Sequence, residues 1–306
     1  MSVLLISAQD PGDATRPGYH TNSAVSVWCR ENREAVTPLE YMEGVAAVMP
    51  ELFVALCDGD TEPGCSNKRI SKSVSKTINF LDTCAGQRDL TPNLLKTGII
   101  GAVEGGLEIK ARTKCAKEVV ARNVDAFLLD GFHNNGPTTE DIEFDSFKSV
   151  LMDTMALLPE DKPKMYFGAS PPALVFKLVR SGVDIFDTTY PYLVTERDSA
   201  LVFANKLTES VPPSSENAES THTEMDLSSP EHRNSFVSLV AGCSCYTCRH
   251  FTRAYLHHLV TVKEMLARVL LQLHNLHHYY AFFQSLQAAV KEDKVELFEN
   301  IVLNKL

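Results

Sequence analysis

Three cysteines fall within six residues, Cys243, Cys245 and Cys248, and His250 follows two positions on. Five more histidines come after them, His257, His258, His274, His277 and His278, in a stretch to Tyr280 with no Pro and no Gly. Clustered thiols with imidazoles nearby suit one kind of chemistry, the ligation of a soft or borderline cation. Zinc takes thiolate and imidazole in a tetrahedron, and a structural site needs four protein ligands. The three thiols leave one place for a histidine. Spacing does not choose it: His250 gains little by closing a short loop, His257 and His258 sit near the start of the following helix, and the other three require the chain to double back. The alternative is three reduced cysteines in a turn that bind nothing.

The elements that must position such a site come from the rest of the chain. Its 306 residues suit one large domain, or one with a smaller appendage, and 44% apolar content supports a sizeable core. Eight cysteines at this length are not the density of a disulfide scaffold, which fits a reducing, intracellular setting. No run of about 18 apolar residues predicts a membrane span, and the first seven residues lack the basic region of a signal peptide. A net charge of −10 argues against broad, non-specific binding to nucleic acid, while leaving room for a local basic patch such as Arg249, Arg253 and Arg268.

Apolar, strand-like runs recur at 3–7, 52–57, 98–103, 126–130, 164–168, 183–187 and 200–204, with helical stretches predicted at 38–49, 68–84, 109–121, 139–158 and 171–180. Thr37-Pro38 with Glu40 reads as a capping box with a first-turn proline, and Gly182 as a helix C-cap. Continuous apolar strands alternating with helices imply a parallel sheet covered on both faces. An open doubly wound sheet satisfies that pattern, and so does a TIM barrel. The acids Asp58, Asp130 and Asp187 at strand ends favour the barrel, because barrel sites are built at the carboxyl ends of strands.

Residues 207–232 are polar, acidic and proline-bearing, and read as a disordered insertion between the barrel portion, 1–206, and a helical zinc-binding subdomain, 233–306. Within that subdomain Leu259, Leu266, Leu273 and Tyr280 recur every seventh residue, with Leu256, Leu270 and Phe283 beside them, a stripe that predicts packing against the barrel or a partner. Residues 293–306 read as a closing helix.

Cys-x-Cys-x2-Cys followed by 25 residues and His, continuing through Arg253-Ala-Tyr-Leu-His-His258 and His274-Asn275, resembles the zinc signature of the tRNA-guanine transglycosylase family. The resemblance implies Cys243, Cys245, Cys248 and His274 as ligands of one structural zinc ion. It also implies an α/β fold of the (β/α)8 TIM-barrel type, lacking its first units here, with the helical zinc-binding subdomain at the C-terminus. Other segments extend the likeness. Ala55-Leu-Cys-Asp58 resembles the strand ending in the base-recognising aspartate, and Gly101-Ala-Val-Glu104-Gly-Gly resembles the strand whose glutamine contacts the base, with Glu104 in its place. Asp184-Ile-Phe-Asp187 resembles the segment that supplies the nucleophile.

Base exchange needs a carboxylate to attack the ribose C1′ and a second group to protonate the departing guanine. The family's acid/base motif, Asp-Ser-Gly-Gly-Phe/Tyr-Gln, has only Asp10-Pro-Gly-Asp-Ala-Thr-Arg-Pro-Gly18-Tyr19 opposite it, and Asp130-Gly-Phe-His replaces the base-packing glycine loop. Residues 17–28, Leu129-Asp-Gly-Phe132 and Tyr192-Leu-Val-Thr-Glu-Arg197 are similar to the accessory, non-catalytic branch of the eukaryotic queuine tRNA-ribosyltransferases. That similarity implies no catalytic residue in this chain and a catalytic subunit as partner in a heterodimer, with a homodimer as the other assembly it allows. It implies tRNA met through the complex, and a cytoplasmic place that extends peripherally to the mitochondrial outer membrane. The other expectation consistent with the residues is an active transglycosylase with Asp187 as nucleophile. A contact surface within 243–289 is expected to carry Tyr246, Phe251 and Tyr255 as anchors.

Overall fold

A computed structural model describes residues 3–16, 18–28, 32–61, 64–206 and 223–303. Contacts divide it into two units, Met1–Ser170 with Lys177–Asp187, and Pro171–Phe176 with Thr188–Leu306.

The first unit begins with strand β1 (Leu5–Ile6) and an antiparallel hairpin of β2 (Val25–Trp28) and β3 (Arg33–Val36), which the apolar pattern did not reveal. Then come α1 (Pro38–Val48), β4 (Leu52–Val54), α2 (Asn67–Leu90), β5 (Gly98–Val103), α3 (Ile109–Val120), β6 (Ala126–Leu129), α4 (Phe144–Met155), β7 (Lys164–Tyr166), α5 (Pro172–Arg180) and β8 (Ile185–Phe186). Strands β1, β4, β5, β6, β7 and β8 form one parallel sheet in that order. A doubly wound sheet would reverse direction partway; this one grows steadily one way, as the wall of a TIM-like fold does. All four residues of β6 are buried, and β5 is buried from Ile99 onward: helices lie against one face, and on the other Val54, Ile100, Ala102, Ala126, Leu128 and Met165 of successive strands pack on one another.

Local chemistry explains the helix ends. Thr37 Oγ1 accepts from the Glu40 amide at 3.3 Å while Glu40 Oε2 accepts from the Thr37 amide at 2.8 Å, the capping box the residues predict. Gly182, at φ +91°, turns the chain after α5, and the amide of Val183 returns to the Leu178 carbonyl at 3.1 Å. Two helices differ from expectation. Helix α2 runs through Gly86 to Leu90, and the helix expected at 139–158 starts only at Phe144, after a 3-10 turn over Pro137–Asp141.

The second unit contains α6 (Thr189–Glu196), β9 (Ser199–Leu201), β10 (Glu224–Asp226), α7 (Tyr246–His250), α8 (Arg253–Thr261), α9 (Met265–Lys291) and α10 (Val295–Val302). The run at 200–204 does not join the parallel sheet: β9 pairs antiparallel with β10. The end of the expected disordered insertion is thus ordered. Glu224 accepts from the Tyr190 hydroxyl at 2.7 Å and from Arg197, and a 3-10 turn follows over Pro230–Asn234. Residues 207–222 lie outside the described residues.

The heptad stripe divides as well. Lys263, at φ +59°, ends α8 and resets the helical phase, so Leu259 packs in the core while Leu266, Leu273 and Tyr280 are 43%, 45% and 67% exposed. The inward face of α9 is carried instead by Ala267, Leu270, Leu271, His274, His278, Phe282 and Leu286.

Candidate metal centre

Cys243 and Cys245 lie on the turn into α7, where Gly242 takes φ +73°, and Cys248 lies within the helix; Cys245 caps it, its sulfur accepting from the Cys248 amide at 3.2 Å. Helix α9 brings His274 against them from a distant part of the chain. Its Nδ1 lies 3.9 Å from Cys243 Sγ, 3.5 Å from Cys245 Sγ and 3.4 Å from Cys248 Sγ. A tetrahedral zinc with Zn–S of about 2.3 Å and Zn–N of about 2.1 Å separates N from S by roughly 3.6 Å, so the donor set fits that ion. His274 Nε2 sits 2.9 Å from the Leu201 carbonyl, which accepts a hydrogen bond from it and orients the ring so that Nδ1 faces the sulfurs. Among the described residues His274 is the one histidine that brings a ring nitrogen into the group formed by the three sulfurs; His250, His257 and His278 direct a ring nitrogen to the Tyr246, Leu227 and Phe203 carbonyls instead.

The electrostatics agree. Hydrogen bonds from Cys245 and Cys248 hold the Cys243 thiol far below its usual range. Burial alone would lower His274, but the Cys243 and Cys245 sulfurs and the Leu201 carbonyl outweigh it and push it up to about 9. The same neighbours push the Cys248 thiol up, so four close donor atoms share too few protons for all of them, and a metal cation can take the place of those protons.

The strand-end acids of the first unit are in three different states. Asp58 is fully buried. Arg69 holds it in a two-pronged pair at 2.5 and 3.2 Å, and Lys76 Nζ reaches it at 2.8 Å. Burial would raise its pKa; these hydrogen bonds outweigh that and hold it below the usual carboxylate range. Glu104 is also fully buried, and burial followed by the nearby Asp130 pushes its carboxyl well above the usual range. Asp187 accepts from the Gly168 amide at 3.0 Å. A cavity of about 110 Å³ opens among Trp28, His20, Cys57, Asp60, Asp130 and Phe167.

The family model described as queuine tRNA-ribosyltransferase matches residues 14–306. The chain belongs to the queuine tRNA-ribosyltransferase family. It is similar to three proteins named queuine tRNA-ribosyltransferase accessory subunit 2. That of Ixodes scapularis is 38% identical, covering 92% of this chain and 72% of its own length. Those of Xenopus tropicalis and Homo sapiens are 37% and 36% identical, each covering 98% of this chain and 77% of its own length.

Against the queuine tRNA-ribosyltransferase pattern, the residues that sequence reasoning missed are cations. Arg69 and Lys76 stand two turns apart on the face of α2 that meets the Asp58 carboxylate, with the Ser73 hydroxyl between them donating to the Asp58 carbonyl, a helical spacing present in the sequence. Arg112 is likewise buried, its guanidinium donating to the carbonyls of Gly106 at 2.6 Å, Val103 at 2.8 Å and Asp130 at 2.5 Å, and resting 3.5 Å from the centre of the Phe132 ring. The expected basic patch is reduced too. Arg253 turns inward to the carbonyls of Ser238 and Leu239, and Arg268 pairs with Glu196, whereas Arg249 stays exposed.

Proposed function

We propose that this chain is the accessory, non-catalytic subunit of a queuine tRNA-ribosyltransferase, pairing with a catalytic subunit that exchanges the wobble guanine of tRNA for queuine. The observation that carries this reading is Asp58. The aspartate that the family uses to recognise a base has both oxygens occupied by Arg69 and Lys76, so a base would have to displace a buried, charge-assisted pair. Glu104 stands where the family places a glutamine, and a carboxyl there supplies no amide donor. The names of the relatives point the same way.

Cys243, Cys245, Cys248 and His274 in this reading hold one zinc ion. Four protein donors close the tetrahedron and leave no position for a reactive water, so the ion is structural.

The surface offered to a partner is the outward face of α9. Met265, Leu266, Val269, Leu273 and Tyr280 are exposed along it. The linked rings of Tyr246, Phe251 and Tyr255 lie near the metal turn, Phe251 stacking on Tyr255 at 5.2 Å between centroids. Large apolar and aromatic side chains left in water at this density suit a protein interface. tRNA is then met through the assembled complex, in keeping with a net charge of −10. Cysteine usage supports a reducing compartment, for which we take the cytoplasm, and peripheral attachment to the mitochondrial outer membrane rests on the resemblance alone. No helix among the described residues is long and apolar enough to cross a membrane.

Labelled-guanine exchange into tRNA tests the proposal. The purified chain alone is expected to give no exchange, and mixing with a catalytic subunit to restore it. Sustained turnover by the isolated chain, lost in Asp187→Asn, would overturn the reading.

A further inference from the structure

The first unit contains a second group of metal-ligating side chains. Cys57 follows β4, Glu104 follows β5 and Asp130 follows β6, so three adjacent parallel strands deliver them to one point. One donor atom from each, a sulfur and two carboxylate oxygens, lies within 4.8 Å of the others, and Cys57 Sγ is 3.6 Å from Asp130 Oδ2. We propose that Cys57, Glu104 and Asp130 bind a divalent cation of the zinc, cobalt or iron(II) class, with a coordination position left for water or a small ligand.

Glu104 provides the independent observation. It is fully buried, yet no N–H group and no hydroxyl among the described residues donates to either of its oxygens, and what lies within reach of them is the Asp130 carboxyl. The cation beside it does not serve: all the hydrogen bonds of Arg112 go to backbone carbonyls. A buried carboxyl with no donor is costly, and here it faces a second carboxyl. Two such groups share a site only with a proton or a cation between them.

The backbone is cut away to allow the approach. A Cβ on Gly131, at φ +72°, would collide with Glu104 Oε2, and one on Gly59 would lie 2.8 Å from Asp130 Oδ2 and 3.2 Å from Glu104 Oε1.

The donor types favour a cation over a proton. In the absence of an ion the Cys57 thiol donates to Asp130 Oδ2; with that proton released, sulfur with two oxygens suits a borderline metal. The 3.6 Å sulfur–oxygen separation is about the edge of a tetrahedron built from metal–sulfur bonds of about 2.3 Å and metal–oxygen bonds of about 2.1 Å. Charge balances also: a thiolate and two carboxylates offset a divalent ion together with the Arg112 guanidinium. Cys57 and Asp130 line the cavity of about 110 Å³, which gives a hydrated ion access and has room for a water ligand. Three protein ligands beside a cavity make an open site, unlike the closed set of three cysteines and His274.

Cobalt(II) titration of the intact, metal-stripped chain, followed by absorption and by elemental analysis after gel filtration, tests this. The expected result is two equivalents per chain. Cys57→Ser and Glu104→Gln should each bind one, with the thiolate-to-cobalt band of the cysteine-rich site retained as evidence of folding. His274→Ala should keep the other equivalent. Saturation of the wild-type chain at one equivalent, unchanged in both first-unit variants, would overturn the proposal and assign the space between Glu104 and Asp130 to a shared proton.

Discussion

His274 Nε2 and the Leu201 carbonyl oxygen are 2.9 Å apart, and this single hydrogen bond turns the imidazole so that Nδ1 meets three sulfurs. It ties the middle of α9 to β9, and Asn275 repeats the tie by accepting from the Leu201 amide at 2.8 Å and donating to the Ser199 carbonyl at 2.9 Å. Because His277 shares neither contact, His274→Ala should lower zinc content by one equivalent per chain and His277→Ala should leave it unchanged. Elemental analysis of the purified variants checks both.

Asp58→Asn should destabilise the first unit by about 3–5 kcal/mol near neutral pH, since it leaves Arg69 and Lys76 without their buried carboxylate. The pH dependence follows from a folded-state pKa held below the unfolded value of about 3.9. The stabilisation is fully present above about pH 4 and is lost as pH falls through the lower, folded-state value. Denaturant midpoints of wild type and variant should therefore differ at neutral pH and converge in strong acid.

The two faces of α9 predict opposite phenotypes. Leu270→Ala, in the core, should cost about 2–5 kcal/mol through the cavity it leaves. Leu266→Glu with Leu273→Glu, on the exposed face, should change stability by less than about 0.5 kcal/mol while weakening co-purification with a catalytic subunit. Thermal denaturation and pull-down measured on the same preparations separate them.

Arg249 and Arg253 are not equivalent. Arg253 donates to the Ser238 and Leu239 carbonyls at 3.0 and 2.8 Å, so Arg253→Glu should lower the melting temperature by disordering the turn before the cysteines. Arg249 is exposed, and Arg249→Glu should leave folding and zinc intact while reducing assembly or tRNA binding by the complex. A salt titration of binding, with a shallower slope in the Arg249 variant, would identify a phosphate contact.

What was legible in the sequence was whatever depends on neighbours along the chain. The capping box at Thr37 and Glu40, the strand–helix alternation of the parallel sheet and the tight cysteine spacing are local signals, each set by backbone geometry within a few residues. The choice of His274 was legible only through family resemblance, because no local rule says which turn of a long helix will face a loop 26 residues away. Tertiary structure alone decided the rest. It turned Leu266 and Leu273 outward once Lys263 broke the helical phase, and it sent the run at 200–204 to β10 rather than to the parallel sheet. It also closed Arg69 and Lys76 over Asp58 and set Glu104 against Asp130. Those outcomes depend on which side chains meet across a sheet or between a helix and a strand end. There burial multiplies the strength of a charge pair and the cost of an unpartnered carboxyl, an energy that no local window of sequence contains.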